Sequence, residues 1–154
     1  MYNTLLALHS LTRWLVLLSL LYAIFIAFRG WRGRLAFTAH HNLVRHLTAT
    51  IAHVQLLLGL GLYFISPIIR YFLQNFKQAV AYRPIRFFGM EHSLMMFIAI
   101  TVLTIGSAKA KRRTGDREKF RTMAIWYTIA LLLILSSVPW PFSPMVQRPA
   151  WRGF

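Results

Sequence analysis

Four apolar stretches, about 4–28, 47–68, 87–108 and 122–138, dominate this chain, and each approaches the roughly 20 residues that a helix needs to cross a bilayer. A bilayer leaves few folds open, because every backbone N–H and C=O in hydrocarbon must be satisfied within the segment. The expected fold is therefore all-α: an integral membrane four-helix up-down bundle, one domain over residues 1–154. A retained first helix is expected too, because the first stretch has no basic leader or small-residue cleavage site and ends in Arg29, Arg32 and Arg34.

The charge is lopsided, with 18 Lys+Arg against 3 Asp+Glu and a net charge of +15. On a soluble chain this would suggest nucleic acid. Here 57% of residues are hydrophobic, and the basic residues gather between the apolar stretches, where cytoplasmic loops and anionic lipid headgroups account for them. No recognition module accompanies them, so no nucleic-acid partner is expected. Eleven basic residues flank the first and third connections: Arg29, Arg32, Arg34, Arg45, Lys109, Lys111, Arg112, Arg113, Arg117, Lys119 and Arg121. Only Arg70, Lys77, Arg83, Arg86, Arg148 and Arg152 fall on the other side, which predicts both termini outside the cytoplasm. Cysteine is absent, excluding disulfides, thiolate metal sites, iron–sulfur clusters and covalent c-type haem.

Between the second and third stretches, Ile69, Phe72, Leu73, Phe76 and Val80 recur at helical spacing with Arg70 and Lys77 off the stripe. A short amphipathic helix at the outer interface is expected over 69–80. The proline- and tryptophan-rich tail after Val138 reads as an irregular interfacial cap. Ala49, Ala52, Gly59 and Gly61 allow either close helix packing or room for a flat cofactor.

Three histidines lie inside apolar stretches: His9, His53 and His92. An imidazole at such depth is costly unless paired or ligated. At 1.5 Å per residue, His9 lies about 10 Å below the outer end of the first helix and His92 about 8 Å below that of the third. These helices are diagonal in an up-down bundle, so the two level rings can face each other and hold one metal, as bundle cores hold haem. His53 lies about 20 Å deep. It is a candidate second or alternative ligand, a partner for a quinone carbonyl, or a hydrogen-bonded core histidine beside Thr50 and Gln55. His40, His41 and His46 sit at the cytoplasmic boundary with Arg45 and read as solvated.

Arg13 shares a helix face with His9, and its guanidinium calls for a carboxylate: a haem propionate or Glu91, with pairing to Glu91 expected. Arg86, six residues before His92, is a second candidate for a propionate or an interfacial anchor. Met90, Met95 and Met96 read as packing.

The segments LHSLTRW, AHVQLLLGLGLYFISP, EHSLMMFIAITVLTIGSAKAK and IWYTIALLLILSSVPWPF together resemble small four-helix bacterial membrane proteins of the cytochrome b type, and more loosely the cytochrome b561 type. The resemblance spans nearly the whole chain. It implies non-covalent haem b, bundle histidines as axial ligands, electron exchange with a quinone or a partner redox subunit, and residence in the bacterial cytoplasmic (inner) membrane. It marks His9, His53 and His92, with Arg13 beside the first. The fourth helix carries Trp126 and Tyr127 but no histidine, so one haem is expected, not two. A haem-free accessory subunit of a larger membrane complex is the alternative, and a quinone-linked oxidoreductase using His53 or Glu91 for proton transfer is a third reading. Soluble-substrate catalysis is not expected: no dinucleotide or phosphate-loop motif is present.

Overall fold

The first helix runs 32 residues, α1 (Tyr2–Gly33), about 48 Å at helical rise and longer than the hydrocarbon core is thick. Seven large apolar residues are exposed along it, among them Leu11, Leu15, Leu18 and Phe25, while Leu20, Ala23 and Ala27 are fully buried on the opposite side. It is followed by α2 (Ala39–Ile65), α3 (Pro67–Gln74), α4 (Phe76–Ala79), α5 (Arg83–Arg86), a π-helical turn (Phe87–Glu91), α6 (His92–Arg112) and α7 (Asp116–Ser137). This is a computed structural model, and it describes residues 1–143 and 146. The predicted cap beyond these, with Arg148, Trp151 and Arg152, lies outside the described residues.

Four helical segments are long and apolar enough to cross a membrane: Tyr2–Gly33, Ala39–Ile65, Arg83–Arg112 and Asp116–Ser137. The chain is an all-α, multi-pass membrane bundle, with no strand among the described residues. Packing runs α1 to α2, α2 to α6, α6 to α7 and α7 back to α1. That cycle is the up-down arrangement, and it places α1 diagonally across from α6. The start of α1, the end of α7, and α3, α4 and α5 gather at one end of the bundle; the two short connections, 34–38 and 113–115, lie at the other.

The ends of the helices follow local chemistry. α1 stops at Arg34 in the left-handed region (φ 51°), and the N–H groups of Arg34 and Leu35 converge on the Gly30 carbonyl, a Schellman-type close without the usual glycine. α2 ends at Ser66 because Pro67 opens α3, three residues earlier than hydropathy suggested. α7 starts with Asp116 and Glu118 and α6 ends with Lys109, Lys111 and Arg112, each sign matching the helix dipole.

The expected interfacial helix is present but divided. Asn75 (φ −126°, ψ 41°) breaks it between α3 and α4, so only Ile69 and Phe72 of the predicted stripe are buried, whereas Leu73 and Phe76 are exposed. Phe72 packs where a side chain on Gly89 would stand, its ring within 2.4–2.8 Å of that position. The core itself is built mainly by α1, α6 and α7, through Leu20, Ala27, Ala99, Leu103, Met123, Tyr127 and Ala130, while α2 supplies only Ala52 to it.

Candidate functional site

Toward the end where α1 begins and α7 stops, all four spanning helices surround a cavity of about 260 Å³. Its walls include His9 and Arg13 of α1, Gln55, Gly59 and Tyr63 of α2, His92 and Met96 of α6, and Ile134 of α7, closed by Val138 and Pro139. His9 and His92 meet there, with ring centroids 6.5 Å apart and planes at 79°. The equal depths counted along two diagonal helices thus become a direct ring-to-ring approach.

Each ring is held differently. His92 Nδ1 lies 2.8 Å from the Ser137 carbonyl oxygen; a carbonyl only accepts, so Nδ1 carries the proton and Nε2 keeps its lone pair. That is the tautomer a metal-ligating histidine adopts. Phe87 and Phe88 flank the same ring at 5.7 and 6.1 Å. His9 has its backbone carbonyl bound by the Gln55 amide nitrogen at 2.9 Å, and Gln55 is anchored in turn by Thr12. The Gln55 nitrogen also stands 3.4 Å from His9 Nε2. His9 Nδ1 is buried with no hydrogen-bond partner, a cost unless something else meets it.

The turn that delivers His92 is unusual. Phe87–Glu91 is π-helical, and the His92 N–H reaches back to the Phe87 carbonyl; such turns insert one residue and often mark functional sites. Tyr63 donates to the Gly89 carbonyl at 3.1 Å, tying α2 to this turn.

The predicted site residues separate into two groups. His9, His92 and Arg13 line the cavity. Arg86 does not: its Nε lies 2.6 Å from Glu91 Oε1 and its Nη1 is 3.1 Å from the Val80 carbonyl. Glu91 therefore pairs with Arg86, where Arg13 was expected, because a five-residue separation stacks on one side of a π turn although it falls about 140° apart on an α-helix. His53 is also elsewhere, exposed on the bundle's outer surface and 2.9 Å from the Thr104 hydroxyl. His40 contacts the Tyr22 hydroxyl at 3.2 Å, and His41 accepts the Thr38 N–H at 3.1 Å. Among the described residues, no group of three or more His, Asp or Glu side chains could hold a metal.

Gly59 and Gly61 serve close packing: side chains there would meet His9 at 3.2 Å and Leu5 at 3.1 Å. Gln55 and Tyr63 were not singled out from sequence for this site, yet Gln55, Gly59 and Tyr63 recur every four residues and so share a face distinct from that of His53. Ser137 leaves no sequence signal, since it acts through its backbone. No protein-family model, curated protein or solved structure matches the chain.

Proposed function

We propose that this chain is a membrane-bound b-type cytochrome, carrying electrons through a single haem ligated by His9 and His92 and exchanging them with a quinone or a partner redox subunit. The observation that carries the reading is the 6.5 Å spacing of the two rings. Two metal–imidazole bonds of about 2.0–2.1 Å in line, with the nitrogen-to-centre distances added, require roughly 6.3 Å. The donor set also fits: one imidazole has its lone pair free by virtue of Ser137, and the other has a buried nitrogen without a partner.

Haem, when bound, supplies a one-electron carrier whose potential follows from its axial ligands and surroundings. The chain's own residues do the rest. Ser137 fixes the His92 tautomer, and Gln55 with Thr12 fixes the backbone turn that presents His9. Arg13, in the cavity wall, supplies positive charge for a carboxylate-bearing ligand, and Leu56, Ile100 and Ile134 keep the wall apolar. The excess of basic residues around the 34–38 and 113–115 connections supports a site in the outer half of a bacterial inner membrane, with both termini outside and anionic lipid against those connections.

Visible spectra of the purified, freshly extracted protein test the proposal. A Soret band with a sharp α band on dithionite reduction is expected, and His9→Ala or His92→Ala should each abolish the low-spin spectrum. Absence of haem would refute the proposal in favour of an accessory subunit. Retention of the spectrum in both variants would refute the ligand pair.

A further inference from the structure

The outward face of α2 carries what a membrane-facing helix ordinarily lacks. Leu43, His46, Thr50, His53, Leu57, Leu60 and Phe64 are all exposed, spaced alternately three and four residues apart along one continuous seam. A 3.5-residue repeat is the pattern of helices that pair as a left-handed coiled coil. Exposure alone does not single this seam out, because α1 exposes Leu8, Leu11, Leu15, Leu18, Tyr22 and Phe25 at similar spacing. The difference is chemical. The α1 seam is aliphatic and aromatic throughout, whereas the α2 seam carries His46 near its start and Thr50 and His53 in its middle.

Depth makes the difference costly. His53 is 14 residues from Ala39 and 12 from Ile65, about 20 Å from either end of the helix and so near the bilayer midplane. Polar side chains at that depth face a protein interior or a partner. The Thr104 hydroxyl donates to the Ile100 carbonyl at 2.7 Å, so His53 Nε2 donates to Thr104 at 2.9 Å, and Nδ1 of this exposed ring remains an acceptor. One turn away on the same seam, the Thr50 hydroxyl bonds only within its own helix, 3.1 Å from the His46 carbonyl. The seam thus presents an acceptor, His53 Nδ1, and a hydroxyl whose one proton can turn from the His46 carbonyl to a partner, one hydrogen bond exchanged for another. A surface that complements itself is what a two-fold interface uses.

We propose that the α2 seam is the interface of a parallel homodimer, in which His53 of each copy accepts a hydrogen bond from Thr50 of the other at the bilayer midplane. A single polar layer in an otherwise apolar seam would also fix its register, and interhelical hydrogen bonds are a main source of association in lipid. The interface requires no cofactor and stands apart from the His9–His92 site.

The absence of cysteine makes the test direct. Leu57→Cys and Leu60→Cys on the seam, with Leu18→Cys on α1 and Leu132→Cys on α7 as controls, are reconstituted as full-length protein in phosphatidylethanolamine–phosphatidylglycerol vesicles. They are then oxidised with copper phenanthroline. Disulfide-linked dimer at least fivefold above both controls is expected at the seam, and adding His53→Leu to Leu57→Cys should lower it about tenfold, while His53→Asn should retain most of it. Equal cross-linking at all four positions, or none at the seam, overturns the proposal. So does a dimer that ignores His53→Leu, a change that is more apolar and leaves membrane insertion intact.

Discussion

Replacing Gly106 by alanine sets two backbones against each other. A Cβ on Gly106 would lie 2.2 Å from the Cβ of Trp126 and 2.8 Å from its Cγ, short of ordinary contact by about 1.2 Å. Neither Cβ can rotate away, so α6 and α7 must separate. They pack along their length through Ala99, Leu103, Ala110, Met123, Tyr127 and Ala130. A gap of 0.5–1 Å already forfeits about a quarter to a half of each dispersion contact, and overpacked sites generally cost about 1–3 kcal/mol. We expect about 2–3 kcal/mol for Gly106→Ala, read as a fall of roughly 5–10 °C in the thermal midpoint followed by far-ultraviolet circular dichroism in detergent. A double-mutant cycle isolates the cause. Trp126→Ala keeps the offending Cβ and should not relieve the cost, whereas Trp126→Gly should relieve most of it. Rescue by Trp126→Ala, or a midpoint within 1–2 °C of the parent for Gly106→Ala, would refute the reasoning.

Arg34 holds a left-handed conformation at φ 51°, so Arg34→Gly should stabilise the protein by about 1 kcal/mol, seen as a higher thermal midpoint. Arg45, only 5% exposed, uses its guanidinium on the Asn42 amide oxygen, the Ser107 carbonyl and the Ser107 hydroxyl. Arg45→Lys keeps the charge but loses this fork and should cost about 2 kcal/mol in the same melt. Arg86→Leu, which strips Glu91 of a partner at a pair that is 33% and 30% exposed, should cost under about 1 kcal/mol.

Much of the fold was legible because lipid enforces it. Apolar stretches of spanning length located all four helices, and counting residues at helical rise put His9 and His92 level across the bundle diagonal, where their rings meet. What escaped was azimuth near the π turn. Hydropathy does not report an extra residue in a turn; on an ordinary α-helix Arg86 and Glu91 fall about 140° apart, so nothing in the sequence favours that pair over the expected Glu91–Arg13 one. The break at Asn75 escaped for a related reason: the stripe from Ile69 to Val80 is periodic in sequence even though the backbone is not. Ser137 was silent because its contribution is a carbonyl that any residue would supply. The polarity of Thr50 and His53 was visible from the start, but whether it faced inward or outward depended on how little of α2 the core uses.

The π turn is also a statement about chain length. In genetic terms it is an α-helix carrying one inserted residue, so deleting one residue from 87–91 would leave a continuous helix of ordinary pitch. The wide turn already takes up the extra residue, so the segment before it would keep nearly its present azimuth relative to His92: five residues over a π turn and four over an α turn both come close to a full circle. With Met90 deleted, Arg86 and Glu91 would stand four residues apart on an α-helix, the spacing at which side chains on one face meet. A deletion of one residue here should therefore be far less damaging than one inside α6, where no wide turn takes up the roughly 100° change of phase.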